Sequence, residues 1–347
     1  MPFHLFKKDV GIDLGTANSL IYVAGRGIVV NEPSVAAVNS KTGEILAIGE
    51  EAKKMIGRTP QHISVIRPLL AGVISDFEMT EELLKRFLQK ARGSQFVGRY
   101  RNAVIGVPAN LTEVEQKSVE DAVLGAGVAR AYVIEESLAA ALGARLPIHE
   151  PTSSMVVDIG GGTTEIAIIS MGGPVISRSV KVAGDKMNED IIRFVRDEFH
   201  LAIGEPTAEE LKISVGEAIA LGQKLEMPIR GRDLAAGLPR ETVVKDNHIR
   251  AAITKSLRTI VESVREVIEV APPELTGDIL KYGVHLCGGG SLLRGMADLI
   301  AKEIGVTTVV VDDPLTCVAR GTGIAVEQIN QYRHILDNPV RPRDIRT

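Results

Sequence analysis

The chain has 347 residues, more than one ordinary domain requires, which predicts two domains that each bury a substantial core. A net charge of −4, a pI near 6.0 and 3% aromatic residues without tryptophan lack the basic surface and stacking side chains of nucleic-acid binders, so we expect no nucleic-acid partner. Cys287 and Cys317 have no metal-binding spacing, which predicts ordinary packing in a reducing cytoplasm. No apolar run reaches the ~20 residues of a membrane-spanning helix.

The first half of the chain begins with strand patterns and continues with helices. A strand, turn and strand at 10–24 precede the strand-like runs GIVVNEPSVAAVN and EILAIG. Apolar residues at helical spacing predict a helix at 78–91, and RNAVIGVP predicts a buried strand. Thr112 and Glu115 form a capping-box pattern for a helix that ends near Gly125. AYVIEESLAAALGA then predicts a strand, a turn and a helix.

A similar pattern restarts in the second half. It predicts a strand hairpin at 155–169, a strand at 174–182, a helix at 185–200, a strand pair in MPIRGRDLAAGLPRE and a helix at about 247–270 that Pro272 and Pro273 stop. The strand YGVHLCGG and the helix GSLLRGMADLIAKEIG follow. The chain therefore predicts two similar α/β halves related by a weak internal duplication.

Each half contains a glycine-containing turn after a strand that ends in aspartate. The first is VGIDLGTANSLI, with Asp13 before the turn, and the second is MVVDIGGGTTEIAII, with Asp158 before it. Such turns leave backbone N–H groups pointing outward, so two facing turns can hold several phosphates, with the hydroxyls of Thr16 and Ser19 as further donors. Carboxylates beside phosphates indicate a hard dication such as Mg²⁺, which makes Asp13 and Asp158 the predicted metal ligands.

Further motifs carry a family resemblance. IDLGTANSLIY, NEPSVAAV, IGRTP, DIGGGTTEIAI, RGRDLAAGLP, CGGGSLLRG and DDPLTCVARGTG occur in this order between about residues 9 and 330, and no G-x-x-x-x-G-K-[ST] P-loop is present. Together they resemble the actin and sugar-kinase ATPase superfamily and, within it, the MreB family of bacterial actin homologues. The resemblance implies an α/β, actin-like ATPase fold: two similar domains with duplicated ribonuclease H-like cores, each with a smaller insertion, and a nucleotide cleft between them.

The resemblance also implies domain boundaries. Domain I covers residues 1–145, with 317–338 returning to it and a small subdomain at about 31–75. Domain II covers residues 146–316, with a small subdomain at about 185–247.

Carried over residue by residue, the resemblance implies a site for ATP and Mg²⁺. Its predicted nucleotide contacts are a first phosphate turn of Gly15, Thr16 and Ala17, a second of Gly161, Gly162 and Thr163, an adenosine-side helix with Glu209, Glu210, Leu211 and Lys212, and the other side of the base with Gly289, Gly290, Ser291 and Leu292. Glu136 is expected to position and polarise the attacking water, and Thr163 to help to hold it, in slow ATP hydrolysis. The family usually has proline after this glutamate, where this chain has Ser137.

Several of these residues also have purely structural interpretations. Glu210 lies three residues after Thr207, so a capping box explains it without a ligand. CGGGSLLRG can be a strand that runs into a helix, and Glu135 with Glu136 can be a solvated pair at a helix start. Three arginines are expected to be ion-pair partners rather than phosphate clamps: Arg145, Arg178 and Arg320.

The resemblance implies homopolymer filaments that lie on the inner face of the cytoplasmic membrane, maintain rod cell shape and guide peptidoglycan synthesis with the cell-wall elongation machinery. Phe96 and Val97, in a loop with basic neighbours, are the predicted membrane contact, with the N-terminus MPFHLFKK as a second candidate. A loop that packs on its own domain is the alternative. A small-molecule kinase or phosphatase of the same fold, or a nucleotide-sensing scaffold without hydrolysis, are the alternative functions.

Overall fold

A computed structural model describes residues 8–93 and 99–336. The strands of its first half are β1 (Val10–Leu14), β2 (Asn18–Val23), β3 (Gly27–Pro33), β4 (Ala36–Asn39), β5 (Ile45–Ile48), β6 (Ile63–Ile66), β7 (Leu69–Leu70), β8 (Val73–Ile74), β9 (Tyr100–Val107) and β10 (Val128–Glu135). The helices of this half are α1 (Glu50–Lys53), α2 (Phe77–Arg92), α3 (Glu113–Gly125) and α4 (Glu136–Gly143).

The second half continues the numbering. Its strands are β11 (Ser154–Ile159), β12 (Thr164–Ser170), β13 (Gly173–Val180), β14 (Leu201–Ala202), β15 (Glu226–Asp233), β16 (Pro239–Lys245), β17 (Val284–Cys287) and β18 (Thr308–Val310). Its helices are α5 (Gly184–Phe199), α6 (Glu205–Val215), α7 (Asp246–Glu269), α8 (Pro273–Tyr282), α9 (Met296–Ile304) and α10 (Cys317–Glu327).

The two large sheets repeat one topology. Their strand orders are β3-β2-β1-β9-β10 and β13-β12-β11-β17-β18. In each sheet the central strand, β1 or β11, pairs antiparallel with its hairpin partner and parallel with a later strand on its other side. The predicted duplication of two α/β halves is therefore confirmed by the order and direction of the strands.

Local sequence signals explain where the helices of the first half begin. Helix α2 begins after Asp76, whose side chain accepts a hydrogen bond from the backbone N–H of Met79. Helix α3 has the predicted capping box, in which Thr112 and Glu115 each accept a hydrogen bond from the other residue's backbone N–H. The predicted strand pair in the second half is also present as β15 and β16.

Two elements of the second half differ from the expectation. Helix α7 ends at Glu269, before Pro272 and Pro273, as predicted, but Pro273 also begins α8, which was not predicted. Proline is tolerated in the first helical turn, where its missing N–H has no partner to lose. The predicted helix at 290–305 begins only at Met296, since Leu293 is extended and Gly295 has a φ of 73°. The residues before it, Gly289–Leu292, form a short 3-10 helix.

Helices α4 and α10 join the two halves. One hydrophobic cluster combines α4 and β10 with β11 and α10, and it lies between a cluster for each half. The helices approach so closely that a Cβ on Gly321 would lie 1.8 Å from the carbonyl oxygen of Ala139, and one on Gly143 would lie 1.9 Å from that of Cys317. Glycine is therefore required at both positions because no side chain fits.

We predict that Gly321→Ala lowers the free energy of unfolding by about 2 to 3 kcal/mol, because the added methyl group forces α4 and α10 apart. The matched control is Gly277→Ala in α8, where a Cβ would meet nothing within 4 Å. Removing this helical glycine should stabilise the protein by up to about 1 kcal/mol. Calorimetric unfolding of both variants tests the prediction, and a Gly321→Ala protein as stable as the parent would contradict it.

Candidate functional site

The two predicted phosphate turns touch each other. A Cβ on Gly162 would lie 2.5 Å from Oγ1 of Thr16, and a Cβ on Gly161 would lie 2.7 Å from Cβ of Ala17. Both distances are too short for any side chain, so space rather than backbone conformation requires glycine here. The structure therefore brings the turns of the two halves into direct contact at one site.

Both turns present backbone donors without a backbone acceptor. The second turn is closed by a 2.9 Å hydrogen bond from the N–H of Gly160 to the carbonyl of Thr163. Within the described ranges, the N–H groups of residues 15–17 and 161–163 donate to no backbone carbonyl. Converging N–H groups of this kind suit the oxygens of phosphate groups.

The hydroxyl groups of the first turn mainly brace it. Oγ1 of Thr16 accepts a 3.0 Å hydrogen bond from the N–H of Gly72, which fixes the turn to the β7–β8 segment. Ser19 is fully buried, and its hydroxyl is hydrogen-bonded to the hydroxyl of Ser34. The Ser34 hydroxyl in turn donates to the carbonyl of Gly15 at 2.6 Å. The expectation that Ser19 adds a phosphate donor is therefore wrong, because its side chain points into the domain.

Strand register gathers carboxylates at one edge of the site. Asp13 lies opposite Gly106 on the parallel strand β9, and Glu136 begins α4 directly after β10, so the carboxyl ends of three neighbouring strands meet there. In the other half, Asp158 is the next-to-last residue of β11 and lies beside Cys287 of β17. Two predicted metal ligands and the predicted catalytic glutamate therefore lie around the touching turns.

Burial gives these carboxylates unusual acidities. It raises the pKa of Asp13 to about 7. Burial, and then the charges of neighbouring carboxylates, also raise the pKa values of Asp158 and Glu136 well above the ordinary range. Asp13 is among the neighbours that act on both, which places the three side chains within reach of one another's charge.

A hard dication fits this arrangement. No lysine or arginine of the described chain lowers the pKa of Asp13 or Asp158, so their charges have no protein counter-ion. Carboxylate oxygens are the ligands that Mg²⁺ prefers, and it usually takes one or two of them together with water and substrate phosphates. The described residues contain no group of three His, Cys, Asp or Glu side chains placed to hold a metal, so phosphate and water would complete the coordination.

The predicted water-holding threonine has a partner that sequence reasoning missed. The hydroxyl of Thr163 bonds the carboxylate of Glu165, which also accepts hydrogen bonds from Oγ of Ser179 at 2.5 Å and from the N–H of Ala109 at 3.3 Å. Glu165 in turn raises the pKa of Glu136. The only local sequence signal for this contact is that Glu165 lies two residues after Thr163 on the hairpin.

On the adenosine side, α6 approaches the second phosphate turn through Lys212. Its Nζ donates to the carbonyl of Gly184 at 3.0 Å and pairs with Glu209 at 2.7 Å, while the N–H of Gly184 donates to Gly160. Leu211 is fully buried in the core and Glu210 is exposed. The side chain of Leu211 therefore packs in the core.

The capping-box interpretation of Glu210 is wrong. Helix α6 begins at Glu205 with Gly204 as its N-cap, so Thr207 lies inside the first turn and cannot cap the helix. The ion-pair interpretation of the arginines holds for Arg178, which pairs with Glu266, and for Arg320, which pairs with Asp313.

The segment predicted for the other side of the base lies beside α6. A Cβ on Gly290 would lie 2.3 Å from Cγ2 of Ile159, so this backbone packs directly on the end of β11. Ser291 is buried with its hydroxyl on the carbonyl of Gly288, and Leu292 is 53% exposed. Arg294 connects the segment to the end of α6 by donating to the carbonyl of Gly216 at 3.0 Å.

An ion pair missed by sequence reasoning crosses between the halves at the edge of the site. Arg67, which follows β6, bonds Glu205 at the start of α6 and lies 3.7 Å from Oδ1 of Asp185 in the first turn of α5. A cavity of about 440 Å³ lies beside this bridge and includes Ile66 and Leu70 in its lining. Only the fold brings these residues together, since they are more than 100 positions apart.

Duplicated sheets joined at two touching glycine turns define an actin-like fold, and solved structures agree. Two of them are crystal structures of MreB5 of Spiroplasma citri, one bound to ADP and one to AMPPNP, and each matches this chain with a TM-score of 0.90 and 37% identity. Both matches cover 95% of this chain; they cover 99% of the ADP-bound chain and 98% of the AMPPNP-bound chain. A MamK double helical filament structure, at a TM-score of 0.77 and 21% identity over 92% of this chain and 99% of that chain, supports the fold alone.

The family follows from comparison of sequences. The family described as MreB/Mbl protein matches residues 7–334. The chain is 46% identical over 327 residues to the cell shape-determining protein Mbl of Bacillus subtilis (strain 168), covering 94% of this chain and 98% of that protein. It is also 46% identical over 332 residues to the cell shape-determining protein MreB of Escherichia coli (strain K12), and this match covers 94% of this chain and 96% of that protein. This chain belongs to the MreB/Mbl family.

The raised pKa of Asp13 predicts a pH dependence of stability. The carboxyl ionises at an ordinary value of 3.8 in the unfolded chain and at about 7 in the folded protein. Between these values the folded protein holds a proton that the unfolded chain has lost, so its free energy of unfolding falls as pH rises from about 4 to about 7. Asp13→Asn abolishes this titration. In EDTA without nucleotide, we expect the variant to exceed the parent's stability by up to about 4 kcal/mol at pH 8, but little at pH 4.

Thermal unfolding across this pH range measures the difference. Asp121→Asn, on the half-exposed side chain of α3 that pairs with Lys117, is the control and should change little at either pH. A stability difference between Asp13→Asn and the parent that is the same at both pH values would contradict the prediction.

Proposed function

We propose that this chain is an ATP-binding, slowly ATP-hydrolysing cytoskeletal protein that polymerises into filaments, maintains rod cell shape and guides peptidoglycan synthesis with the cell-wall elongation machinery. The contact between two glycine turns beside the buried Asp13 and Asp158 is the observation that carries the proposal. ATP as the ligand is supported by the ADP and AMPPNP bound to the MreB5 neighbour. The shape-determining role is supported by the names of the Mbl and MreB relatives.

The residues of the site have separate tasks in this proposal. The N–H groups of the two turns would bind phosphate oxygens, and Asp13 and Asp158 would hold Mg²⁺, which would neutralise negative charge on the phosphates. Glu136 orients and polarises the attacking water. Thr163 helps to hold that water, and its hydrogen bond to Glu165 fixes its side chain. The protein therefore contributes position and charge rather than a covalent intermediate.

We expect Glu136→Ala to bind ATP and form filaments while releasing phosphate at least about 100-fold more slowly, because the water loses its orienting carboxylate. Glu135→Gln is the matched control, since Glu135 is the N-cap residue of α4 and has no assigned role in hydrolysis. Phosphate release, nucleotide binding and electron microscopy with and without ATP measure the three properties.

The outcomes separate the candidate functions. Normal phosphate release by Glu136→Ala would contradict its assignment. Turnover that a metabolite stimulates, with no filaments in ATP, would favour a small-molecule kinase. Filaments of the parent protein without phosphate release would favour a non-hydrolysing scaffold.

Membrane attachment in this proposal relies on the loop containing Phe96 and Val97, which lies outside the described residues. No helix in the described part of the chain is long and apolar enough to cross a bilayer. Three basic residues near the loop already have partners: Lys90 bonds Glu32, Arg101 bonds Asp9, and Arg92 lies over the ring of Tyr100. Burial of the two apolar side chains, about 2 to 4 kcal/mol, therefore carries more of the attachment than charge does.

We expect the double variant Phe96→Ser, Val97→Ser to assemble with ATP but to lose most co-sedimentation with anionic vesicles, because one loop binds weakly and a filament multiplies that binding. The control Arg99→Gln should lose much less. Unchanged co-sedimentation of the double variant would exclude this loop as the anchor and favour the N-terminal candidate.

A further inference from the structure

Arg67 makes the ion pairs that cross between the halves at the edge of the candidate site. Its Nη1 lies 3.7 Å from Oδ1 of Asp185, and its Nη2 is hydrogen-bonded to Oε1 of Glu205. The three side chains, which we call the Arg67 clasp, are all partly exposed to solvent. Ion pairs of this exposure are weak enough to break and form again, so they suit a contact that opens during function.

Both carboxylates of the clasp belong to helices that are attached to the candidate site. Asp185 lies in the first turn of α5, and its backbone N–H donates to the carbonyl of Gly161 in the second phosphate turn at 2.8 Å. Glu205 is the first residue of α6, the helix whose Lys212 bonds the carbonyl of Gly184 just before Asp185. The clasp therefore holds the two helices of the second half that border the predicted nucleotide position.

In the first half, Arg67 stands at the open end of the short hairpin formed by β7 and β8. The N–H and the hydroxyl of Ser75 both donate to the carbonyl of Pro68, at 2.9 Å and 3.0 Å, and close this end of the hairpin. Leu69 and Leu70 pair with β8 between this closure and the tip. The hairpin is therefore a well-braced unit, and the backbone of Arg67 moves with it.

The tip of this hairpin touches both phosphate turns. The N–H of Gly72 donates to Oγ1 of Thr16 in the first turn, and a Cβ on Gly162 of the second turn would lie only 2.9 Å from Cα of Ala71. Ala71 has a φ of 48°, a left-handed conformation that alanine keeps only when surrounding contacts hold it there. The hairpin therefore connects the clasp at its open end with the phosphate turns at its tip.

We propose that the Arg67 clasp holds the cleft closed over a bound nucleotide and slows the release of that nucleotide. The inference rests on the proposed function, because it takes the ligand of the site to be a nucleotide. The clasp is a partly exposed contact, whereas α4 and α10 are joined by buried apolar packing, so separation of the halves breaks the clasp first. A nucleotide that leaves only from the open state has a release rate proportional to the open fraction, which the clasp lowers.

Release of a fluorescent ATP analogue, chased with excess ATP at low ionic strength, tests the proposal. We expect release from Arg67→Ala to be about three- to tenfold faster than from the parent, the range that the loss of one or two partly exposed ion pairs produces. Glu205→Ala should act in the same direction. The double variant should be no faster than Arg67→Ala, because the pair is already broken. A double variant whose effect is the product of the two single effects would overturn the proposal.

Arg86→Ala is the matched control. Arg86 pairs with Glu82 at 2.8 Å and at similar exposure, but both residues lie in α2, so their ion pair does not cross between the halves. Its release rate should equal that of the parent. Added salt should accelerate release from the parent toward the Arg67→Ala rate and change Arg67→Ala much less, because salt screens partly exposed charges. Equal release rates for Arg67→Ala and the parent would overturn the proposal.

A measurement without nucleotide separates failure of the clasp from failure of the proposed function. Spin labels on His62→Cys in the first half and Ile213→Cys on α6, both exposed positions, report the distance between the halves by electron paramagnetic resonance, while the native cysteines are buried and stay unlabelled. Arg67→Ala should show more long distances than the parent or Arg86→Ala. Unchanged distances would overturn the clasp. Longer distances in a protein that binds no ATP would support the clasp and contradict the proposed function.

Discussion

The direct contact between the two glycine turns is the constraint on which the rest of the structure depends. Because no Cβ fits at Gly161 or Gly162 beside Thr16 and Ala17, the ends of the two central strands are held at one point. Other elements are fixed to the same point: the start of α5 donates to the carbonyls of Gly160 and Gly161, and the β7–β8 segment is bound through Thr16. A duplicated fold thus becomes one site, because its two copies present the same kind of turn to each other.

The same convergence destabilises the nucleotide-free protein electrostatically. Convergence of the strand ends also brings Asp13, Asp158 and Glu136 together in a buried place without a basic partner among the described residues. Such carboxyls hold their protons more tightly than free ones when nothing is bound, and a dication with its phosphates would replace those protons. The nucleotide-free protein is therefore less stable near neutral pH than its packing allows, and a ligand that relieves the repulsion stabilises the closed arrangement. In the proposed function, nucleotide binding and contact between the halves would be coupled through the same carboxylates.

Sequence reasoning succeeded where the signal was local. The two hairpins, the capping box at Thr112 and the alternation of strands and helices follow from residues close together in the chain. It correctly ended α7 before Pro272 and Pro273 but missed α8, because the sequence does not show that a proline which follows one helix also begins the next. Side-chain direction and long-range partners could not be seen in the sequence: the pairing of Arg67 with Glu205, for example, exists only because the fold brings β6 and the start of α6 together. The motifs predicted two turns that face each other, and the structure has them in contact, whereas the side-chain contacts that support the turns required the fold.

The contacts between the halves are unequal, and this inequality determines how the cleft can open. At one end, α4 and α10 interlock through Gly143 and Gly321 within a continuous apolar cluster, which cannot separate without exposing buried surface. At the other end, Arg67 makes partly exposed ion pairs, which contribute at most about 1 kcal/mol each. Thermal motion therefore breaks the Arg67 contacts first, while the helix pair persists as the axis. The halves should rotate about α4 and α10, so that opening is widest at Arg67 and smallest at that helix pair.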